Sequence, residues 1–529
     1  MTDTDRPVVL IAEELSPATV EALGPDFEIR SCNGADRAEL LPAIADVDAI
    51  LVRSATKVDE EALTAARRLK VVARAGVGLD NVDVRTATQN GVMVVNAPTS
   101  NIVSAAELAV ALMLAAARHV SPAHAALKNG EWKRSKYTGI ELYEKTVGIV
   151  GLGRIGVLVA QRLSAFGMNV IAFDPYVQAG RAAQMGVRLV ELDTLLAEAD
   201  FMSVHLPKTP ETVGLIGADE LARAKPSLVL VNAARGGIVD EEALYDALKT
   251  GRIAGAGLDV FASEPCTDSP LFELENVVAT PHLGASTNEA QVNVALQVAE
   301  QIADFLVHGG VTNALNMPSL SAEEAPKLKP YMALAEKLGS LVGQLTTGSI
   351  PRISIHTEGA AAELNAKPIV AAVLAGFLRT QSDTVNMVNA PFLAKERGLE
   401  VREVKTEKEG DYHTLIRVSV KTDAGERSVA GTLFANSEPR LVELFGIKVE
   451  AELAGPMMYI VNEDAPGFIG RIGTLMGESA INIGTFNLGR REAGGEAVLL
   501  LSVDSPVPAV VIDKARAVPG VKRVMALAF

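Results

Sequence analysis

The sequence has few cysteines and few aromatic side chains. Its two cysteines, Cys32 and Cys266, lie far apart and neither has metal-ligand spacing around it, so we expect no disulfide framework, no bound metal and a reducing compartment. Aromatic residues make up 4% of the 529 residues and hydrophobic residues 48%, which is typical of an α/β globular protein and argues against disorder. At a typical domain size of about 150 residues, this length predicts three or four domains.

The chain also lacks a positive net charge and a membrane-length apolar run. A formal net charge of −16 disfavours non-specific binding to nucleic acid or to an anionic membrane, because both require a positive face. The longest apolar run, LAVALMLAAA at 108–117, is shorter than the ~20 residues that cross a bilayer and predicts a buried helix. The chain starts with MTDTD, which is acidic where an export signal would be basic. We therefore expect a cytoplasmic protein that binds neither nucleic acid nor membranes.

What the chain does have is a repeated alternation of short apolar runs and helical patterns. Val- and Ile-rich runs between residues 8 and 97 predict a parallel sheet with helices on its faces, and a second series of strand-like runs starts near residue 145. A helix predicted at about 287–307 returns to the first unit. Residues 319–455 mix both patterns, and the end of the chain has the order βαββαβ. We predict domains at 1–98 with 289–318, at 99–288, at 319–455 and at 456–529.

A glycine motif opens the second unit. Gly151, Gly153 and Gly156 follow the apolar strand TVGIV and precede a helix. In this context the glycines allow a tight turn, close approach of a pyrophosphate and close helix packing. Asp174 ends the next strand, where a carboxylate can accept hydrogen bonds from ribose hydroxyls and would repel a 2′-phosphate. The motif predicts NAD rather than NADP; the alternative is a glycine turn without a ligand.

Three polar residues follow later strands of the same unit. They are Arg235 in NAARGGIVD, Glu264 in LDVFASEP and His282 in TPHLGAST. Because ligands bind beyond the carboxyl ends of parallel strands, we expect these side chains to converge. They suit oxidation of a 2-hydroxy acid, with Arg235 binding the carboxylate and Glu264 orienting His282 as the proton acceptor. The alternative is structural, with a helix cap, a solvated acid and a turn histidine.

A family resemblance rests on four motifs, VGIVGLGRIG, VNAARGGIVDEEAL, GAGLDVFASEP and PHLGAST. The chain resembles the D-isomer-specific 2-hydroxyacid dehydrogenases over essentially its whole length, and among them the long form with an intervening domain and a C-terminal ACT domain. The resemblance implies an α/β protein with two doubly wound, Rossmann- or flavodoxin-like domains, an α+β intervening domain and a βαββαβ ACT domain. It implies Arg235, Glu264 and His282 as the catalytic set. The implied NAD-binding residues are Gly151, Gly153, Arg154, Ile155, Gly156, Asp174, Ala233, Ala234, Arg235, Asp259, His282, Leu283, Gly284 and Ala285.

The substrate that the resemblance implies is 3-phospho-D-glycerate. A phosphate group favours several arginine donors, and arginines follow two strands of the first unit. The implied substrate-binding residues are Arg53, Ser54, Arg74, Asn101, Arg134, Arg235 and His282. In the family, the position of Arg134 reaches a neighbouring subunit's active site, although an ordinary surface arginine is at least as good an interpretation. Trp132 is expected to pack at a dimer interface. A homo-oligomer, a tetramer by resemblance, is expected.

The resemblance also implies L-serine as an end-product inhibitor bound between two C-terminal domains. Asn462, Asp464 and Asn482 are its expected ligands. Many family members carry His or Tyr at the position of Asn462, so the chain departs from the pattern there. The alternative is a capped helix start without a ligand, since turn chemistry alone explains Asp464 and Gly467.

Two other functions remain open from the sequence. One is a dehydrogenase of the same fold for an unphosphorylated acid such as glycerate. The other is a non-catalytic protein that senses NAD or an amino acid.

Overall fold

The computed structural model describes residues 6–321, 323–346, 348–407, 410–423 and 425–529, so the acidic start at 1–5 lies outside the described residues. The chain forms two compact units. One comprises Met1–Asn96 together with Val298–Phe529, and the other is Ala97–Gln297.

The first part of the chain forms a five-stranded sheet in which all neighbouring strands are parallel, in the order β2-β1-β3-β4-β5. Three of its strands are buried along their whole length, as expected when helices cover both faces of a sheet. The elements are β1 (Val8–Ile11), α1 (Ala18–Leu23), β2 (Glu28–Ser31), α2 (Arg37–Ala43), β3 (Ala49–Val52), α3 (Glu60–Ala65), β4 (Val71–Arg74), α4 (Val84–Gln89) and β5 (Met93–Asn96).

The unit Ala97–Gln297 contains a seven-stranded parallel sheet with apolar cores on both faces. Its elements are α5 (Ile102–Ala117), α6 (Val120–Lys128), β6 (Thr146–Val150), α7 (Arg154–Ala165), β7 (Asn169–Phe173), α8 (Ala179–Gln184), β8 (Arg188–Leu189), α9 (Leu192–Glu198), β9 (Phe201–Val204), α10 (Ala218–Arg223), β10 (Val229–Asn232), α11 (Glu241–Lys249), β11 (Gly255–Leu258) and β12 (Val277–Ala279). The strand order is β12-β11-β10-β9-β6-β7-β8. The order reverses between β6 and β9, so the loops after these strands flank the crevice in which such sheets bind ligands.

The helix α5 is apolar and packs within this unit. Its residues Ala106, Ala109 and Met113 are fully buried in the core that α5 shares with α7 and the sheet, as the apolar run at 108–117 predicts. Among the described residues, no single helix is long and apolar enough to cross a membrane. Helices α5 and α6 reach such a length and apolar composition only when they are taken together, and they are bent by 65° at the break between them.

Further helices and a mixed six-stranded sheet follow in the chain. The elements are α12 (Asn288–Ala303), a π-helical turn at Asp304–His308, α13 (Ala325–Leu345), β13 (Arg352–Gly359), α14 (Ala366–Arg379), α15 (Ala390–Glu396), β14 (Glu400–Thr406), β15 (Thr414–Thr422), β16 (Gly425–Phe434), β17 (Glu438–Leu444) and β18 (Ile447–Ala451). The sheet order is β14-β13-β15-β16-β17-β18, and only the β13/β14 pair is parallel among these described strands.

The last part of the chain has the predicted βαββαβ order. Its elements are β19 (Pro456–Glu463), α16 (Phe468–Glu478), β20 (Ile483–Arg490), β21 (Glu496–Val503), α17 (Ala509–Arg516) and β22 (Val521–Ala528). The four strands form an antiparallel sheet in the order β20-β21-β19-β22. The Gln344 side chain both donates to and accepts from the backbone of Ala528, which ties α13 to this sheet. The predicted fold class is confirmed.

Candidate active site

The glycine turn lies between β6 and α7. Gly151 has φ +98°, and a Cβ there would lie 2.6 Å from the carbonyl oxygen of His205. A Cβ at Gly156 would lie 2.1 Å from the carbonyl oxygen of Gly151. A side chain at Gly151 would therefore collide with the backbone of His205, and a side chain at Gly156 would collide with the backbone of Gly151. In contrast, a Cβ at Gly153 would meet nothing within 4 Å, so the backbone there is open to a close-lying ligand.

The start of α7 is available to an anion. Its N-cap is Gly153, which provides no side-chain cap for the first N–H groups of this 12-residue helix. Asp174 follows β7 and accepts hydrogen bonds from the backbone N–H of Leu152 (2.8 Å) and of Tyr176 (2.9 Å), one on each carboxylate oxygen. Each oxygen keeps lone pairs for ribose hydroxyls. The turn, the uncapped helix and the acid together fit a bound dinucleotide.

A histidine and a carboxylate meet after β11 and β12. His282 Nδ1 lies 2.5 Å from Oε2 of Glu264, whose other oxygen accepts a hydrogen bond from the backbone N–H of Phe261 at 2.9 Å. The carboxylate binds an Nδ1–H donor, so the neutral ring carries its free lone pair on Nε2. The predicted pairing of His282 with Glu264 is present.

Asp259 shapes the loop that carries His282. Its buried carboxylate accepts hydrogen bonds from the Thr280 hydroxyl (2.6 Å) and from the backbone N–H of Leu283 (2.7 Å) and Gly284 (2.9 Å). The backbone N–H of His282 donates to the carbonyl oxygen of Asp259 at 2.9 Å. His282 adopts φ +52°, which is uncommon for a residue other than glycine. The histidine does lie in a braced turn, but the turn leaves its imidazole in contact with Glu264.

Arg235 follows β10 and is braced by a side chain that the sequence analysis did not single out. Buried Asn232 accepts a hydrogen bond from the backbone N–H of Ala234 (3.1 Å) and donates to the carbonyl oxygen of Arg235 (3.0 Å). Arg235 Nη1 donates to the carbonyl oxygen of Ala234 at 2.7 Å. A polar residue at the end of the apolar strand VLV was the signal that could have identified Asn232.

His205, at the end of β9, was also overlooked. Its Nε2 lies 2.8 Å from the Ser203 hydroxyl, and burial lowers the pKa of the imidazole to about 4. It is therefore uncharged at neutral pH. Its backbone carbonyl oxygen lies close to Gly151 and leaves no room for a side chain there.

The predicted phosphate-binding arginines follow neighbouring strands of the first sheet. Arg74 ends β4, and Arg53 follows β3. The loop at Arg53 and Ser54 is held from both sides. Its backbone N–H at Arg53 donates to Glu13 at 2.8 Å, and its carbonyl oxygen accepts from Asn81 at 2.6 Å.

The other predicted substrate residues lie in the unit Ala97–Gln297. Asn101 precedes α5, and its buried Oδ1 has no hydrogen-bond partner among the described residues. Arg134 begins the 3₁₀ helix Arg134–Tyr137, and Trp132 just before it is 77% exposed.

The three predicted serine ligands lie at opposite ends of the C-terminal sheet. Asn462 and Asp464 are at the end of β19, beside the start of β21, whereas Asn482 precedes β20, beside the end of β21. Asp464 and Asn482 already have side-chain partners. Asp464 pairs with Arg490 at 2.8 Å and accepts from the backbone N–H of Gly494 at 3.1 Å; these contacts hold the pKa of Asp464 below its usual value. Asn482 donates to Asp504 at 2.8 Å. Asn462 is buried and donates to the carbonyl oxygen of Glu463, while its Oδ1 has no partner within the described part of the chain.

Sequence comparison assigns this architecture to a family. Residues 110–284 match the D-isomer specific 2-hydroxyacid dehydrogenase NAD binding domain, and residues 327–445 match the D-3-phosphoglycerate dehydrogenase intervening domain. The D-3-phosphoglycerate dehydrogenase of Mycobacterium tuberculosis is 49% identical over 505 residues, or 95% of each chain. The chain belongs to the D-3-phosphoglycerate dehydrogenases. It has the long form with an intervening domain, and the D-3-phosphoglycerate dehydrogenase of Bacillus subtilis matches 97% of the chain and 98% of its own length at 43% identity.

Solved structures of shorter proteins cover about three-fifths of this chain. A D-lactate dehydrogenase of Aquifex aeolicus, complexed with NAD and lactic acid, aligns with a TM-score of 0.52 at 28% identity and covers 59% of this chain and 100% of its own. The TT0316 protein of Thermus thermophilus aligns with a TM-score of 0.54 at 34% identity, covering 58% of this chain and 99% of its own. The predicted family and NAD-binding domain are confirmed.

Proposed function

We propose that this D-3-phosphoglycerate dehydrogenase family member oxidises 3-phospho-D-glycerate to 3-phosphohydroxypyruvate with NAD, the first step of phosphorylated L-serine biosynthesis. The contact of 2.5 Å between His282 Nδ1 and Glu264 carries the catalytic part of the proposal, because it leaves Nε2 free to accept a proton. The family relationship supports the substrate.

The residues of the chain have separate roles in this reaction. The chemistry that NAD supplies when bound is acceptance of the hydride that leaves C2 of the substrate. His282 Nε2 takes the proton of the C2 hydroxyl as the carbonyl forms, and the adjacent Glu264 carboxylate stabilises the resulting imidazolium. Arg235 holds the substrate carboxylate through two parallel N–H···O bonds. In the reverse direction His282 returns the proton to the carbonyl oxygen.

The residues that would hold NAD are those of the glycine turn and the loops after β7, β10, β11 and β12. The backbone of Gly153, Arg154 and Ile155 would bind the pyrophosphate, and Asp174 the ribose. The buried carboxylate of Asp259 would act by holding the 282–285 loop in place.

Oxidation of NADH with a panel of 2-oxo acids tests the proposal. We expect 3-phosphohydroxypyruvate to be preferred over hydroxypyruvate and pyruvate. A preference for hydroxypyruvate would favour the alternative function on unphosphorylated acids. No oxidation of NADH with any of them would favour a non-catalytic sensor.

Arg53 and Arg74 are proposed to bind the substrate phosphate. We expect Arg53→Ala and Arg74→Ala each to lower kcat/KM for 3-phosphohydroxypyruvate about 10- to 100-fold, since a hydrogen bond to a charged group contributes about 1.5–3 kcal/mol. The kcat/KM for hydroxypyruvate should change less than about 3-fold, because this substrate has no phosphate group for these arginines to bind. Steady-state kinetics with both substrates measures the difference.

Arg67→Ala is the matched control, since Arg67 is an exposed arginine of the same N-terminal sheet domain. Equal losses for both substrates in the Arg53 and Arg74 variants would contradict a role in phosphate recognition.

L-Serine is proposed as the inhibitor, bound at Asn462, Asp464 and Asn482 between two C-terminal domains. The Oδ1 of buried Asn462, which has no partner among the described residues, supports a polar ligand there, because a buried acceptor without a partner is costly. The ion pair of Asp464 with Arg490 places an internal cation where the ammonium group of serine would bind.

Removal of that cation should strengthen inhibition. We expect Arg490→Gln to lower the serine concentration that gives half-inhibition about 3- to 10-fold, and Asp464→Asn to raise it at least about 10-fold. Initial rates of NADH oxidation at varied serine concentrations measure both. Arg516→Gln is the control, because Arg516 is an equally exposed arginine of the same domain that pairs with Asp513. Unchanged inhibition in all three variants would place the serine site elsewhere.

We also propose a homotetramer in which Arg134 reaches the active site of a neighbouring subunit. The exposure of Trp132 next to Arg134 supports a subunit contact at this segment. Sedimentation of the protein and of its Trp132→Ala variant measures the oligomeric state. An unchanged oligomeric state in the variant would contradict a role for Trp132 in the subunit interface.

A further inference from the structure

The segment that carries Glu264 is short and largely exposed. It runs from Phe261 to Glu264 after β11. At one end, the buried ring of Phe261 packs edge-on against Phe272, with ring centroids 5.3 Å apart. At the other end, Glu264 itself folds back to accept the backbone N–H of Phe261. Between these ends the backbone needs another support if the carboxylate is to stay against His282.

A carboxylate from a different element provides that support. Oε1 of Glu241 accepts a hydrogen bond from the backbone N–H of Ala262 at 2.5 Å. Glu241 is the first residue of α11, and the N-cap of that helix, Asp240, binds the backbone N–H of Ala243. The support is therefore anchored to the helix that follows the Arg235 loop.

We propose that Glu241 is a positioning residue, which holds the segment 261–264 so that the Glu264 carboxylate remains in contact with His282. Glu241 does not touch the imidazole. It acts through the backbone of Ala262, two residues before Glu264. The effect on turnover rests on the proposed dehydrogenase function, whereas the effect on the segment itself does not.

Because Ala262 is exposed, loss of its hydrogen bond to Glu241 should affect the position of the segment and not the stability of the fold. When Glu241 is truncated, water can bind the released N–H of Ala262, so no buried donor is left unpaired and the fold should be as stable as before. The segment then samples other conformations, and Glu264 spends less time against His282. Because a catalytic constellation loses rate when it is not preorganised, kcat should fall while nucleotide binding at the glycine turn is retained.

The test compares Glu241→Ala, Glu241→Gln and the control Glu242→Ala in the full chain. Glu242 is the next, exposed carboxylate of the first turn of α11, so its removal has the same effect on the helix dipole without releasing Ala262. We expect kcat for 3-phosphohydroxypyruvate to fall about 10-fold in Glu241→Ala, equivalent to about 1.4 kcal/mol. The KM for NADH and the Tm should stay near their original values. Glu241→Gln keeps an acceptor oxygen and should recover most of kcat.

Amide hydrogen exchange provides a second readout that needs neither substrate nor cofactor. Exchange of a peptide covering residues 261–265 should accelerate in Glu241→Ala and stay unchanged in Glu242→Ala. Unchanged exchange in Glu241→Ala overturns the inference, as does an original kcat in that variant or an equal loss in Glu242→Ala. If the unmodified protein does not reduce 3-phosphohydroxypyruvate, the proposed function fails, while the exchange result still decides the role of Glu241.

Discussion

His282→Asn is expected to lower kcat for reduction of 3-phosphohydroxypyruvate by about 10³-fold, within the range of about 10² to 10⁴ found for loss of a general acid or base. The variant removes the imidazole that Glu264 orients for proton transfer. Asparagine is the suitable replacement because it adopts the left-handed backbone region more readily than most residues, and His282 has φ +52°. The backbone N–H groups of Leu283 and Gly284 donate to the Asp259 carboxylate, and these hydrogen bonds should persist in the variant.

Initial rates and NADH affinity are the two measurements for this variant. NADH affinity should change by less than about 3-fold, because the variant keeps the glycine turn, Asp174 and the backbone of the 282–285 loop, which Asp259 holds. His124→Asn is the control, since His124 is an exposed histidine of the same unit. A loss of less than about 10-fold in His282→Asn would mean that another group transfers the proton.

Arg235→Lys is expected to lower kcat/KM for 3-phosphohydroxypyruvate by about 10²-fold. Lysine keeps the positive charge but provides a point charge instead of a planar fork, so the substrate carboxylate loses one of two parallel hydrogen bonds and its fixed orientation. A hydrogen bond to a charged group contributes about 1.5–3 kcal/mol, which corresponds to about 10- to 150-fold. The backbone at this position should not move, because Asn232 holds the Arg235 carbonyl.

Steady-state kinetics with 3-phosphohydroxypyruvate and hydroxypyruvate distinguishes the role of Arg235 from that of Arg53 and Arg74. Both substrates have the carboxylate, so Arg235→Lys should impair both equally. Arg181→Lys, at an exposed arginine of α8, is the control. An effect restricted to the phosphorylated substrate would reassign Arg235 to the phosphate.

The local features of the fold were predictable because each depends on neighbouring residues. Parallel strands read as short apolar runs, and the glycine turn follows from the spacing of Gly151, Gly153 and Gly156 between an apolar strand and a helix. The final βαββαβ order followed in the same way. The pairing of Glu264 with His282 was predictable by one further rule, that strand ends of a parallel sheet share one edge.

The supports of the site were not predictable in that way. Glu241 and Ala262 are 21 residues apart, and nothing in the sequence pairs the first carboxylate of α11 with that backbone N–H rather than with solvent. The pairing of Asp464 with Arg490, 26 residues later, similarly requires the β20–β21 hairpin to place the guanidinium at the turn after β19.

The amino-acid sequence by itself determined the parallel and antiparallel sheets, the dinucleotide turn and the identities of the three proposed catalytic side chains, since periodicity and glycine geometry act over a few residues. Only the tertiary structure decided which hydrogen-bond partners hold each of those side chains. Asp259 illustrates the difference, because its carboxylate meets Leu283 and Gly284 only after two strands have aligned side by side. Hydrogen bonds between distant segments depend on atomic positions that the packing of the whole sheet creates.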